Sequence, residues 1–251
     1  MKRKTGDTVA IPGDYQYHAY YCGKTPQRFW HYNRLAEALK SLDLHDGDTV
    51  LDIGCGSGLM ASFIAQNPTI QVLAVDANYH AIHFAEKMFQ MPNLKFRYGM
   101  IDELELPEES FHRINYLEVI EHIFERQGDY VFESFYKLLK PGGKLVISTP
   151  NKKSLWPLIE WVLDTFKMTP VLSHEQHEFL YTDHLLCQKA AQVGFSCINK
   201  KHLNTIAPWL ALFNWQVALK VNEWEIAHIK KCGSILLYTF QKPLNILSKT
   251  I

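Results

Sequence analysis

The chain lacks a long apolar run, a closely spaced cysteine pair and an excess of either charge. Its longest uncharged stretch, "TIAPWLALFNWQVAL" from Thr205 to Leu219, contains a proline. It falls short of the roughly 18 to 20 residues that span a bilayer, so no transmembrane helix is expected. Five cysteines (Cys22, Cys55, Cys187, Cys197 and Cys232) include no C-x-x-C pair. That argues against a zinc module or a disulfide framework and fits a reducing cytosol. Twenty-six basic residues balance 26 acidic ones. Net charge therefore does not favour a nucleic-acid partner, although Lys152-Lys153 and Lys200-Lys201 offer local patches. The opening "MKRKTGDTVAIPGD" is basic with no apolar segment behind it, unlike a secretory signal. The expected location is cytoplasmic, with room for peripheral contact at a membrane.

What is present is ordinary globular material: 251 residues, 47% apolar and 21% charged. That suffices for one large α/β domain, expected over 29–251 behind an N-terminal arm at 1–28. Residues 1–26 mix Gly, Pro, Tyr and charge and read as irregular. Trp30, Leu35, Leu39 and Leu42 have helical spacing. Short apolar strands follow at Thr49–Ile53, Gln71–Ala77, Leu94–Gly99, Arg113–Glu118 and Lys144–Pro150. Helical stretches separate them, at Leu59–Ala65, Tyr79–Phe89 and Asp129–Leu139. This alternation predicts βαβ units and a parallel sheet covered on both faces. Beyond Pro150 the spacing changes: helical insertions are expected at about 152–172 and 205–228. Between and after them come a helix over Thr182–Val193, a strand in "FSCINKKHL" and a last strand in "SILLYTFQKP".

"LDIGCGSG" places Gly54, Gly56 and Gly58 between a strand and a helix. Such a loop admits a tight turn and brings a ligand close to backbone amides. It is one residue shorter than the dinucleotide-binding version. Asp76 ends the next strand, 18 residues after Gly58, where a carboxylate can accept both hydroxyls of a ribose. The competing reading makes Asp76 the N-cap of the following helix.

Taken together, "VLDIGCGSG", Asp76, "LEVIEH" and "LKPGGKLVISTPN" resemble the class I S-adenosylmethionine-dependent methyltransferases, over roughly residues 29–200. The resemblance implies a Rossmann-like α/β fold of seven strands, the last antiparallel, with S-adenosylmethionine over the carboxyl ends of strands one and two. It implies that Asp52 and the loop of Gly54, Cys55, Gly56 and Gly58 hold the methionine portion. Asp76 and Ala77 would meet the ribose, and Met100, Ile101 and Asp102 would flank the adenine. Arg34, or else Arg28, would meet the cofactor carboxylate, and Glu118 would lie near the sulfonium. Two departures stand out. Gly99 is followed by Met100 where the family often has Asp, with Asp102 two positions late, and Ser110-Phe111-His112 replaces the usual Ser-Phe-Asp.

Within that family the chain is most similar to the ubiquinone-biosynthesis O-methyltransferases, and next to the enzymes that methylate the 2'-hydroxyl of small RNAs. Both carry Glu-x-x-Glu-His after the fourth strand and a later His, associated with a divalent metal. The matching residues are Glu118, Glu121, His122 and His177, or His174 in its place. Carboxylates with imidazoles form a mixed O/N site for Mg²⁺, Mn²⁺ or Zn²⁺, and either a metal or a general base can deprotonate a hydroxyl. The same motif also occurs without metal, where Glu118 caps the cofactor pocket and Glu121 favours a helix N-terminus. Glu118, Glu121 and His122 are the candidate catalytic residues on either reading. His18, His31, His80, His83 and His112 read as surface residues.

The two insertions contain five of the six tryptophans. They suit an apolar lid over a hydrophobic acceptor, a membrane-touching element, or a simple cover for the sheet. The expected activity is O-methylation of a small hydrophobic, phenol- or quinol-like acceptor. RNA 2'-O-methylation is the second enzyme reading, and a non-catalytic cofactor-binding partner protein is the third.

Overall fold

The computed structural model describes residues 11–123, 125–154 and 179–244. The expected insertion at 152–172 and the candidate ligands His174 and His177 lie almost wholly or wholly outside them. Two helices open the described chain: α1 (Tyr15–Tyr21) and α2 (Thr25–Leu42). Next come β1 (Thr49–Ile53), α3 (Leu59–Ile64), β2 (Gln71–Asp76), α4 (Tyr79–Met88) and β3 (Leu94–Tyr98). The chain continues through β4 (Phe111–Leu117), α5 (Glu125–Leu138), β5 (Leu139–Pro150), α6 (Asp183–Val193) and β6 (Ser196–Leu203). It closes with α7 (Ala207–Leu210), α8 (Trp215–His228) and β7 (Ile235–Gln241).

The seven strands form one sheet in the order β3-β2-β1-β4-β5-β7-β6, with β7 antiparallel to both its neighbours. Alternate residues of the buried strands feed two cores. Leu51, Ile114, Tyr116, Ile147 and Tyr238 face α5 and α6, and Val50, Val72, Ala74, Val146 and Leu237 face α2 and α3. Strand order reverses between β1 and β4. The carboxyl ends diverge there, which is where an open α/β sheet places its ligand.

Three expectations need correction. The stretch read as irregular carries α1, and α2 begins at Thr25 with Pro26 in its first turn, a place where a missing N–H costs nothing. β5 begins at Leu139, ahead of the Pro141-Gly142-Gly143 segment, because Phe111 pairs with Leu139 and Arg113 with Lys144 across a bulge. His31 is buried in α2, where burial and the neighbouring Arg34 charge push its pKa well down. α2 sinks several polar side chains besides His31, namely Asn33, Arg34, Glu37 and Ser41. A helix that buries polar groups needs partners for them: Glu37 and Ser41 find Lys201 of β6, and Asn33 and Arg34 find theirs at the rim of the sheet.

Candidate active site at the rim of the sheet

β1 and β2 bring the glycine loop and Asp76 together. Gly56 has φ 51°, and a side chain there would run into the Gln16 carboxamide 2.5 Å away. Gly54 has φ 70°, with Val119 occupying the space its side chain would need. Asp76 accepts the Gly56 and Asn78 backbone N–H groups, each at 2.7 Å. Asn78, not Asp76, caps α4: its side chain accepts from His80 N at 3.0 Å and Ala81 N at 3.3 Å. The capping alternative for Asp76 is thereby answered, and its carboxylate belongs to the loop. Burial raises its pKa against those two N–H bonds.

Asp52 is buried in β1 opposite Asn115 of β4, whose Nδ2 donates to Asp52 Oδ1 at 2.7 Å. Burial pushes its carboxyl up to about 7, with the Asn115 bond opposing and Asp76 adding. Asp52 Oδ2 and Asn115 Oδ1 are buried acceptors with no partner, and Arg34 Nε is a buried donor with none. Asp52, Asn115 and Arg34 line one cavity with Gln16, Gly54 and Cys55. Its volume of about 10 Å³ holds one water at most. Such orphaned groups are costly unless a ligand completes them. Acceptors on one side and a guanidinium donor on the other match the ammonium and carboxylate of an amino acid. Arg28, the alternative, is exposed and reaches instead toward the Trp215 ring, at 6.0 Å. Cys55 is buried, its thiol pushed well up by burial. Ala77 sits half-buried between Asp76 and Asn78. Met100 precedes a short 3-10 turn over Ile101–Glu103; Ile101 packs on the core and Asp102 is exposed. Gly99 N–H donates to the Asp76 carbonyl at 3.0 Å, which ties this turn to the same rim.

On the other side of the strand-order reversal, Glu118 leaves β4 with φ 55°, one of four non-glycine residues at positive φ among the described residues. A bulky side chain in this region costs on the order of 1–3 kcal/mol, a cost that concentrates at functional sites. Ser148 of β5 donates to Glu118 Oε1 at 2.6 Å. Glu121 is 1% exposed, in a 3-10 turn over Ile120–His122, and its Oε2 accepts from Thr149 Oγ1 at 3.1 Å. Burial raises Glu118 against the charges of Arg34 and His122 and the Ser148 bond. Burial raises Glu121 well above the carboxylate range, and the Glu118 charge adds to it. Arg34 in turn is held beside both acids, with its guanidinium 5.0 Å from the Trp30 ring centroid. The structure thus gathers Asp52, Asp76, Arg34, Glu118, Glu121 and the glycine loop at one rim, with His122 half-buried beside them. Among the described residues, no group of three or more His, Cys, Asp or Glu is arranged to hold a metal ion. His177, the remaining expected ligand, lies outside them.

Sequence reasoning missed Asn115, Ser148, Thr149 and Asn33. Asn33, next to Arg34, donates to Asn204 Oδ1 at 2.7 Å and exchanges hydrogen bonds with Asn222 of α8 at 2.6 and 2.7 Å. α7 and α8 follow the carboxyl end of β6, which runs parallel to β5, so they stand at this rim. Ala207, Ala211 and Ala218 pack on Phe29, while Ile206, Leu212, Val217 and Trp224 stay exposed and Phe213 is 87% exposed. No helix of the described residues is long and apolar enough to cross a membrane.

A family model described as "Methyltransferase domain" matches residues 44–210. The chain is 30% identical over 158 residues to the "Ubiquinone biosynthesis O-methyltransferase, mitochondrial" of Schizosaccharomyces pombe, covering 60% of this chain and 56% of that protein. It is 34% identical over 114 residues to "Phosphoethanolamine N-methyltransferase 3" of Arabidopsis thaliana, covering 45% of this chain and 23% of that one. It therefore spans little more than half the length of the first relative and about a quarter of the second. A solved "SAM dependent methyltransferase from Archaeoglobus fulgidus" matches with TM-score 0.64 at 18% identity, covering 91% of this chain and 99% of that chain. At that identity the likeness concerns the fold alone.

Proposed function

Because this chain belongs to the class I S-adenosylmethionine-dependent methyltransferases, we propose that it methylates the hydroxyl of a small hydrophobic, phenol- or quinol-like acceptor. The observation that carries this reading is the acid pair of half-buried Glu118 and buried Glu121, held by Ser148 and Thr149 of β5 within the influence of the Arg34 guanidinium. An amine acceptor arrives with its own nucleophilic lone pair once neutral, whereas a hydroxyl needs a base for its proton. The exposed apolar ridge of α7 and α8 supports a hydrophobic acceptor, and the likeness to a ubiquinone biosynthesis O-methyltransferase agrees.

When bound, S-adenosylmethionine supplies a sulfonium methyl carbon open to direct displacement. Asp76 would take the ribose hydroxyls, the free acceptors of Asp52 and Asn115 would take the ammonium, and Arg34 would take the carboxylate. Glu118, whose charge Arg34, Ser148 and His122 favour, would receive the acceptor's hydroxyl proton. Such a base contributes about 10²–10⁴-fold. Burial and the Glu118 charge both oppose ionisation of Glu121, which favours a single negative charge on the pair. Fixing the two reactants in contact accounts for up to about 7–11 kcal/mol of barrier lowering.

The test is transfer of labelled methyl from the cofactor into a lipid extract, total RNA and a set of small amines, each with and without chelator. Label in an organic-phase ether is the expected result. Label in RNA or amine would overturn the acceptor class. Loss of transfer on chelation would recast Glu118 and Glu121 as metal ligands.

A further inference from the structure

Far from the rim, the outer edge of the sheet carries two cysteines that methyl transfer leaves unused. Cys187 is in the middle of α6 and Cys197 is in the edge strand β6. Ten positions separate them in sequence, but the fold turns them toward each other. β6 pairs Cys197 with Phe240 and Asn199 with Thr239 of β7, so Ile198 is an extra residue in a bulge. In a regular strand, Cys197 and Lys200 would face opposite sides. The extra residue brings Cys197 to the side that Lys200 and His202 share. Their partners across the ladder, Phe240, Tyr238 and Leu236, belong to the core beneath α5 and α6, so this is the face that α6 covers. Ile198 is left exposed on the bulge, and the Cys197 thiol lies 3.7 Å from the Asn199 carbonyl.

Cys187 has the Cys197 thiol and the Lys200 ammonium as its neighbours. Lys200 Nζ is itself held 5.7 Å from the Tyr238 ring centroid. The Cys197 thiol beside it and, against the opposing effect of burial, Lys200 hold the Cys187 thiol below its ordinary range. The same closeness, with burial, pushes Cys197 up. Cys187 is half-buried and Cys197 exposed, so a small reagent has a route to both. A cation beside a thiol, with a second thiol in reach, is the arrangement of a cysteine that reacts and a cysteine that resolves.

We propose that Cys187 and Cys197 form a reversible disulfide on exposure to a hydroperoxide, Cys187 reacting first and Cys197 resolving. The Cys187 thiolate attacks the terminal OH oxygen of the hydroperoxide, the O–O bond breaks, and alkoxide leaves (hydroxide when the oxidant is hydrogen peroxide), so that Cys187 becomes a sulfenic acid. Cys197 sulfur then attacks the sulfenic sulfur, and its proton leaves with the hydroxyl as water. The alkoxide or hydroxide from the first step takes up the proton Cys187 had released. Two thiols and one hydroperoxide thus give a disulfide, water and the alcohol, or a second water when the oxidant is hydrogen peroxide. The pair joins α6 to the edge strand and does not touch the rim, so it differs from the structural framework that the cysteine spacing argues against.

The full chain is exposed to limiting hydrogen peroxide, alkylated, digested and mapped by mass spectrometry. The exposed thiols Cys22 and Cys232 serve as references. A cross-linked Cys187–Cys197 peptide pair, two hydrogens lighter and lost on reduction, should form before either reference thiol changes. In Cys197→Ser the reaction should stop at Cys187 sulfenic acid, captured by dimedone. Lys200→Met should slow Cys187 alkylation about tenfold at neutral pH, the effect of one pKa unit, and leave it unchanged at alkaline pH. A merely structural lysine would not produce that pH-dependent convergence. Alkylation of Cys187 no faster than Cys22, or a Cys187 fate unaltered by Cys197→Ser, would overturn the proposal.

Discussion

Asp76 and Glu121 are both acids beyond or at the carboxyl ends of parallel strands, yet the chain treats them differently. Asp76 accepts two backbone N–H groups from its own loop. Glu121 meets one hydroxyl and has a second carboxylate as neighbour. Two N–H donors offset part of the burial that raises Asp76, whereas the Glu118 charge adds to the burial that raises Glu121 well above the carboxylate range. On our reading the half over β1 and β2 holds the cofactor, with Asp52 giving up its proton to do so, and the half over β4 and β5 takes the acceptor's proton.

The sharpest way to break that division is to neutralise each half in turn. Glu118→Gln keeps the shape and removes the base; kcat should fall by about 10³ while cofactor affinity in calorimetry stays within about twofold. Equal losses in both would mean that Glu118 binds cofactor rather than acceptor. Asp76→Ala should do the reverse. Hydrogen bonds to a charged acceptor are worth roughly 1.5–3 kcal/mol each, so cofactor binding should weaken by about a hundredfold or more. Near-unchanged affinity would remove the ribose role.

Proton linkage refines the same contrast. Asp52, Asp76, Glu118 and Glu121 all have raised pKa values, so each holds its proton more tightly folded than unfolded. Their contribution to folding is present below the ordinary carboxylate range and is lost as pH rises, for Asp52 through about 7. Melting temperature of the free protein should therefore drift down over that window. Cofactor affinity should move the opposite way, because an ammonium selects the ionised Asp52. It should rise by about tenfold per pH unit and level off above about 7. Asp52→Asn should flatten that profile. A slope that survives the substitution would assign the proton elsewhere.

The two halves also differ in how far the sequence revealed them. Gly54, Gly56, Gly58 and Asp76 are legible because backbone geometry and strand ends dictate their spacing within one contiguous segment. Asn115, Ser148 and Thr149 are not. They reach Asp52, Glu118 and Glu121 through the pairing of β4 with β1 and β5, and register is a property of the sheet. His31 reads as a surface residue because no partner pattern surrounds it in the sequence, whereas α2 buries it together with Asn33, Arg34 and Glu37. The start of β5 was hidden behind Pro141-Gly142-Gly143, a turn signal that a bulge absorbs within the strand.

The smallest expected effect concerns the join between binding and acceptor elements. Asn222 of α8 is buried and shares hydrogen bonds with Asn33, the residue before Arg34. Asn222→Ala leaves Asn33 bonded to Asn204 alone and should cost about 1–2 kcal/mol. In a chain of this size that lowers the melting temperature by a few degrees, roughly 2–4 °C per kcal/mol. Because α8 carries exposed Val217 and Trp224, a looser α8 should raise KM for a hydrophobic acceptor more than it alters cofactor affinity. Arg34 keeps its place beside Glu118 and Trp30, so the guanidinium has other anchors. If cofactor affinity falls as far as KM rises, Asn33 transmits motion of α8 to Arg34, and the two halves of the rim work as one.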